Sequence, residues 1–275
     1  MIRMRPRTRK SFVAATVVAV ALTVALIVNL SVPVHRGNDG GDVFARGVMD
    51  VAVEPGPLSF AVAGDDTTGL YWEVVRRFAA DHGLRLRVKV VADIDEALAL
   101  LRLGGCDMVA AGLPHTWALR HEFRLSRRLH TSHPLLVCNA GLRPQVTTPY
   151  DLGGRTVTLP AGSSYAVRLA NLHSETGDTV KVRIEPKVTA YQLICRADAD
   201  TAVMTVAGDR LVAMAADSCD NIAWFEIGFE QNVSFATARG ATALGDSLDT
   251  WLARMEEDAA YRRLCSGYLG GEVVR

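Results

Sequence analysis

The sequence predicts an α/β protein of two lobes, each a mostly parallel sheet covered by helices, preceded by one N-terminal transmembrane helix. Three observations predict it: two successive series of alternating strand and helix patterns, a long apolar run near the start, and the segment DLGGRTVTLPAGSSYAVRL (151–169). That segment reads as a tight turn, a short buried strand, a Gly-Ser-Ser loop and a helix. Residues 156–159 are strand formers, Gly162 permits close backbone approach, and Ser163 or Ser164 can cap the helix that follows. The helix start then directs N–H groups and a partial positive charge outward, which suits a carboxylate, a phosphate or another polar group. The same residues also describe an ordinary strand-to-helix connection, and the segment alone leaves both readings open.

The chain has 275 residues, of which 49% are hydrophobic and 22% charged, enough for one large domain or two lobes with a real core. Thirty basic and thirty acidic residues cancel. Basic residues do not alternate with aromatics along any stretch, so no nucleic-acid surface is expected. The five cysteines, Cys106, Cys138, Cys195, Cys219 and Cys265, lie far apart without C-x-x-C or histidine at ligand spacing, so no metal site or cofactor is expected. A single disulfide suits an exported domain, and Cys195 with Cys219, which flank one predicted strand, is the candidate pair; free buried thiols are the alternative.

The N-terminal elements come first in order. Arg3, Arg5, Arg7, Arg9 and Lys10 form a basic segment, 1–11, ahead of an apolar run at 12–34. A cleavable signal has an apolar core of about 7–15 residues, whereas a spanning helix needs roughly 20. The run has the longer length, shows no A-x-A site near its end, and carries its positive charge in front. It therefore reads as an uncleaved single-pass inner-membrane anchor with the folded domain in the periplasm, secretion after cleavage being the alternative. The Gly-rich segment 35–43 reads as a linker.

Strands are predicted at 48–53 and 58–62 around Glu54-Pro55-Gly56-Pro57, followed by a helix at 69–82 with Leu70, Val74, Val75 and Phe78 at helical spacing. A strand at 84–91, a helix capped by Asp93 and ended by Gly104 and Gly105, and a buried strand at 107–111 complete a βαβαβ series. The second series has strands near 155–159, 180–185, 201–204 and 221–227, with helices near 164–173, 190–197 and 206–213. One or two amphipathic helices follow at 243–264. Ligands of open sheets of this kind bind beyond the carboxyl ends of the strands, which places the site in a cleft between the lobes.

With these pieces in order, the chain resembles the bacterial extracellular solute-binding proteins of family 3, which have the type 2 periplasmic binding fold. Within that group it is most similar to the non-catalytic domain of the membrane-bound lytic murein transglycosylases F. The resemblance rests on VMDVAVEPGPLSF (48–60), GLYWEVVRRFAADHGLRLRV (69–88), GGCDMVAAGL (104–113), TPYDLGGRTVTLPAGSSYAV (148–167) and the closing helix AYRRLCSGYLGG (260–271). It implies two α/β lobes joined by a hinge of two crossing strands, near 134–139 and 232–237. Lobe one is then 44–136 plus 234–275, and lobe two is 137–233.

Carried over residue by residue, the resemblance implies that Phe60 packs on the ligand, that Ala111 and Gly112 offer backbone acceptors, and that Gly162, Ser163 and Ser164 face the ligand from lobe two. The arginine that pairs with an amino acid's α-carboxylate falls on Leu119, with Arg120 one residue along as the substitute. The aspartate for the α-ammonium falls on Thr205, with Asp209 a helical turn away. A neutral threonine cannot make that charge-assisted bond, which puts a free amino acid in doubt and leaves a peptide, a cell-wall fragment or no ligand open.

No catalytic residue is expected. The sequence has no nucleophile elbow or H-E-x-x-H, and His115, His121, His130 and His133 read as loop or solvated residues rather than general bases. Glu256, Glu257 and Asp258 read as a solvated helix face, and Arg127 with Arg128 as a surface pair. The expected function is capture of a small polar ligand, for import through a permease or for sensing. The alternatives are a non-catalytic regulator of a cell-wall enzyme and a degenerate scaffold domain.

Overall fold

The computed structural model describes residues 43–64 and 66–270. The basic segment, the predicted transmembrane run at 12–34 and nearly all of the linker lie outside these residues. Among the described residues no helix is long and apolar enough to cross a membrane.

Lobe one is built on the sheet β4-β1-β5-β13-β6, with β1 at Val48–Val53, β4 at Arg85–Val90, β5 at Met108–Pro114, β6 at Phe123–Leu125 and β13 at Gln231–Ala238. Strand β1 is parallel to β4 and β5 and is buried after its first residue, as expected of a strand covered on both faces. Its side chains alternate between two cores. Met49, Val51 and Val53 point into one with Phe78 and Trp251, while Ala52 points into the other with Leu98, Leu101 and Val109. The short α1 (Val43–Arg46), helix α2 (Leu70–Asp81) and the C-terminal helices α8 (Thr242–Met255) and α9 (Ala259–Leu269) cover the first face; α3 (Ile94–Arg102) covers the second.

Several predicted elements match closely. The predicted Asp93 cap of α3 is in place, accepting from Glu96 N at 2.9 Å, whereas Asp258, not read as a cap from the sequence, caps α9 by accepting from Tyr261 N at 2.7 Å. The latter gives one residue of the supposed solvated face a structural task, as does the pairing of Glu256 with Arg127 at 3.1 Å.

Lobe two holds β8 (Pro134–Asn139), β11 (Met204–Gly208) and β12 (Ile222–Glu226) in the order β11-β8-β12, beside the parallel pair β9 (Thr156–Pro160) and β10 (Lys181–Glu185). Helices α5 (Tyr165–Thr176), α6 (Ala190–Ala199) and α7 (Asp209–Ala216) connect these strands. The expected parallel sheets are not found: the lobe-one sheet is mixed, and the lobe-two sheet β11-β8-β12 is antiparallel throughout. The strand entering each lobe from the other, β8 or β13, arrives without a crossover helix and so runs antiparallel to its neighbours.

The hinge is the short antiparallel ladder between β7 (His130–Ser132) and the start of β13, in the register Gln231↔Ser132, Asn232↔Thr131 and Val233↔His130. The first crossing therefore precedes Pro134, and the stretch 134–139 expected to cross is instead the middle strand of the lobe-two sheet. The strand expected at 58–62 is shortened to β2 (Ala61–Ala63), in a hairpin with β3 (Asp66–Thr68); β3, helix α4 (Trp117–Glu122), β6 and β7, absent from the sequence reading, are too brief to carry a periodic signal.

Candidate functional site

The carboxyl ends of the strands of both lobes meet at one cleft of about 140 Å³. Lobe one lines it with Glu54, Leu58 and Ser59 from the loop after β1, Tyr71 from α2, Gly112 to Pro114 from the end of β5, Leu119 from α4, and His130 and Ser132 from the hinge. Lobe two contributes Gly162, Ser163, Ser164 and Tyr165 from the β9–α5 turn, Thr189 to Tyr191 from the start of α6, and Val206, Ala207, Gly208, Arg210 and Leu211 across the β11–α7 junction.

The lobes are closed on one another. Asp93 of lobe one, buried, accepts the backbone N–H of Lys187 from lobe two at 2.7 Å while still capping α3. Lys187 is the one non-glycine residue with positive φ (59°) among the described residues, a conformation that turns its N–H toward this contact. Gly162 (φ 78°) abuts the same helix start: a Cβ there would stand 2.5 Å from Asp95 N and 3.0 Å from the Ile94 carbonyl carbon. Leu211 and Met214 of α7 pack against the lobe-one core.

Two polar features dominate the lobe-one wall. The Glu54 carboxyl follows a fully buried strand, and its Oε1 has no hydrogen-bond partner. Burial, with the charge of Asp93 nearby, pushes its pKa up to about 7. Beside it, the Tyr71 hydroxyl donates to His130 Nε2 at 2.9 Å, and His130 Nδ1 donates to the Thr131 carbonyl at 2.7 Å. A carbonyl accepts only, so this pairing fixes the neutral tautomer, and burial lowers the His130 pKa. Histidine 130 is thus a buried, engaged residue rather than a solvated one. A Cβ on Gly112 would fall 2.5 Å from the Tyr71 hydroxyl. Gly112→Ala should therefore cost about 1–3 kcal/mol, and adding Tyr71→Phe should recover much of it. Melting curves of both single variants and the double variant check this; equal losses with and without the hydroxyl would exclude it as the obstacle.

The structure brings Gly112, Gly162, Ser163 and Ser164 together in the cleft and leaves the other four expected residues out of its lining. Phe60 packs edge-on against Trp72, ring centroids 5.3 Å apart, against the lobe-one core; Leu58 and Ser59 face the cleft instead. Ala111 alternates away from Gly112 into the second core. Leu119 faces the cleft, whereas Arg120 is exposed and lines a separate groove with Arg124 and Arg239, so no one-residue slip rescues an arginine at this place.

Thr205 is fully buried in mid-strand, its hydroxyl unpaired. The strand expected at 201–204 runs instead from Met204 to Gly208, which moves the cleft-facing end to Val206, Ala207 and Gly208. Asp209 is held at the hinge, accepting from Ser132 Oγ at 2.8 Å and His133 N at 3.2 Å. Glu54, Tyr71, His130, Tyr165, Tyr191 and Arg210 line the cleft without having been singled out as ligand-facing from sequence. A charged residue directly after the apolar strand VAV was the one signal available for Glu54.

The chain is similar to proteins named membrane-bound lytic murein transglycosylase F. The Pseudomonas syringae pv. tomato protein is 26% identical over 227 residues, covering 82% of this chain and 45% of the relative. The Pseudomonas fluorescens protein is 26% identical over 271 residues, covering 97% and 53%. The chain thus spans about half the length of the curated relatives it matches. Among solved structures, it resembles an ABC uptake transporter substrate-binding protein from Streptococcus pneumoniae with bound histidine (TM-score 0.73, 16% identity, 86% of this chain and 98% of that one). It also resembles a putative L-cystine ABC transporter protein from Listeria monocytogenes (TM-score 0.72, 17% identity, 83% and 98%). These likenesses establish the two-lobed periplasmic binding protein fold. The model of the bacterial extracellular solute-binding proteins, family 3, matches residues 49–271, and the chain belongs to that family.

Proposed function

We propose that the domain captures a small polar solute between its lobes without chemical turnover, held at the periplasmic face of the inner membrane by residues 12–34. The observation that carries this reading is Glu54, a carboxyl in the cleft wall with a buried, unpartnered oxygen. An unpaired buried polar atom costs stability, and a donor on a ligand would complete it. An ammonium or another group rich in N–H suits Glu54 and the neighbouring Tyr71 hydroxyl. Ser163, Ser164 and Arg210 on the lobe-two wall suit an acceptor or anionic end.

This polarity differs from the amino-acid pattern, because Leu119 stands where an arginine would take the α-carboxylate. It supports a peptide or an amine-bearing cell-wall fragment over a free α-amino acid in the usual orientation. The transglycosylase relatives favour a second reading of the same capture, in which occupancy regulates a cell-wall enzyme rather than delivering solute to a permease.

A thermal-shift screen against amino acids, short peptides, muropeptides, sugars and organic acids tests the proposal. Ligand at about a hundred times its Kd should stabilise the folded state by about 2.7 kcal/mol. A muropeptide response supports cell-wall sensing, and a response confined to amino acids supports import. No response in any class would reject capture in favour of a scaffold.

A further inference from the structure

Away from the cleft, lobe two holds two cysteine side chains in mutual contact. Cys195 on α6 and Cys219 in the α7–β12 connection place their Sγ atoms 3.8 Å apart, both as free thiols. Cys219 is buried among Ile194, Val212, Ala215 and Ile222, while Cys195 is half-exposed. Tyr191, one turn before Cys195, joins this pair to the cleft. Its Cβ faces Gly56 of lobe one, and its hydroxyl lies close enough to the Cys195 and Ser218 side chains to interact with them electrostatically.

We propose that Cys195 and Cys219 form a disulfide that locks the cleft wall carried by α6. The sulfurs need only close to about 2.05 Å, within reach of side-chain rotation. With a low-molecular-weight disulfide as oxidant, the more accessible Cys195 loses its proton to water and attacks. The oxidant's S–S bond breaks and one thiolate leaves. Cys219 then gives its proton to water and attacks the Cys195 sulfur as a thiolate, releasing the second thiolate, and both expelled thiolates take up protons from solvent. Two cysteine thiols are oxidised, and one oxidant disulfide is reduced to two thiols. Burial holds the Cys219 thiol up at about 11, which makes the second step slow and faster at higher pH.

The test is equilibration of the protein with oxidised glutathione, followed by alkylation and peptide mapping under non-reducing conditions. The expected result is a 195–219 linked peptide that reductant abolishes, with Cys106, Cys138 and Cys265 recovered as alkylated thiols. The melting temperature should rise by about 5 °C or more. Amide exchange across residues 189–199 should slow about tenfold. Cys195→Ser and Cys219→Ser should each remove all three changes; mapping the unsubstituted chain decides the matter if either variant fails to fold. Recovery of both alkylated thiols, or a glutathione adduct that stops at Cys195, would overturn the pairing. A disulfide that leaves exchange in residues 189–199 unchanged would overturn the locking.

Discussion

Substituting Gly162 with alanine should prop the two lobes apart. The new Cβ would stand 2.5 Å from Asp95 N and 3.0 Å from the Ile94 carbonyl carbon. Both are backbone atoms at the start of a helix already fixed by its Asp93 cap, so no side chain can swing aside to relieve the clash. The φ of 78° adds roughly 1–2 kcal/mol for any residue with a side chain. That strain is carried in the open form as well, so it is the clash that should disfavour closure, by about 3 kcal/mol, a loss of about a hundredfold in closed population and in ligand affinity. The lobes themselves should stay folded, because the turn makes this contact only on closure. Small-angle scattering should report a larger radius of gyration than for the unsubstituted protein, with a melting temperature lowered by only a few degrees. Superimposable scattering curves with retained affinity would refute this account.

The second large effect is expected at Glu54. Its pKa rises from 4.5 unfolded to about 7 in the native state, so between those values the native protein binds more protons than the unfolded chain. The native state is then favoured below pH 4.5, and that contribution is lost as pH rises through about 7. The shift corresponds to about 3 kcal/mol. Glu54→Gln removes the titrating group, so the variant should gain about that much relative stability at pH 8 and essentially none at pH 4. The same variant should bind a cation-bearing ligand at least about tenfold more weakly, having lost the charge-assisted bond. Urea unfolding of both proteins from pH 4 to 9 measures the first effect. Parallel stability curves would show that Glu54 is not strained by burial. A stabilising substitution that weakens binding is the expected mark of a group retained for recognition rather than for folding.

The order of strands and helices was legible because its signals are local. The runs VAV and MVAA, the Asp93 cap and the glycines after α3 each specify a neighbourhood of a few residues, whereas the cap that Asp258 supplies was read as part of a solvated face. Sheet direction was less legible, since whether β8 runs with or against its neighbours depends on where the hinge lies. The site was legible in its glycine-serine turn, where backbone conformation and chemistry coincide. It was lost where one boundary slipped. Ending β11 at Met204 put Thr205 at the cleft, and extending it to Gly208 buries that residue and places the next three in the cleft lining. Tyr71 and His130 lie far apart in sequence and meet only through the packing of α2 on the hinge, so no motif announces their pair.

The placement of β13 has a consequence for how the molecule is made. This strand sits between β5 and β6, with Ala236 opposite both Val109 and Leu125. Lobe two is a continuous stretch of chain and holds its partners within itself. Lobe one cannot seal its sheet until residues 231–269 arrive with β13, α8 and α9, which also bring Leu248 and Trp251 to the core. In a chain emerging from its N-terminus, the half built first is therefore the half completed last. Until then β5 presents an open edge, and Phe78 lacks the indole that covers it. Loop closure over such a separation is slow, and a chain cut short before β13 leaves an exposed, adhesive half-lobe beside a finished one.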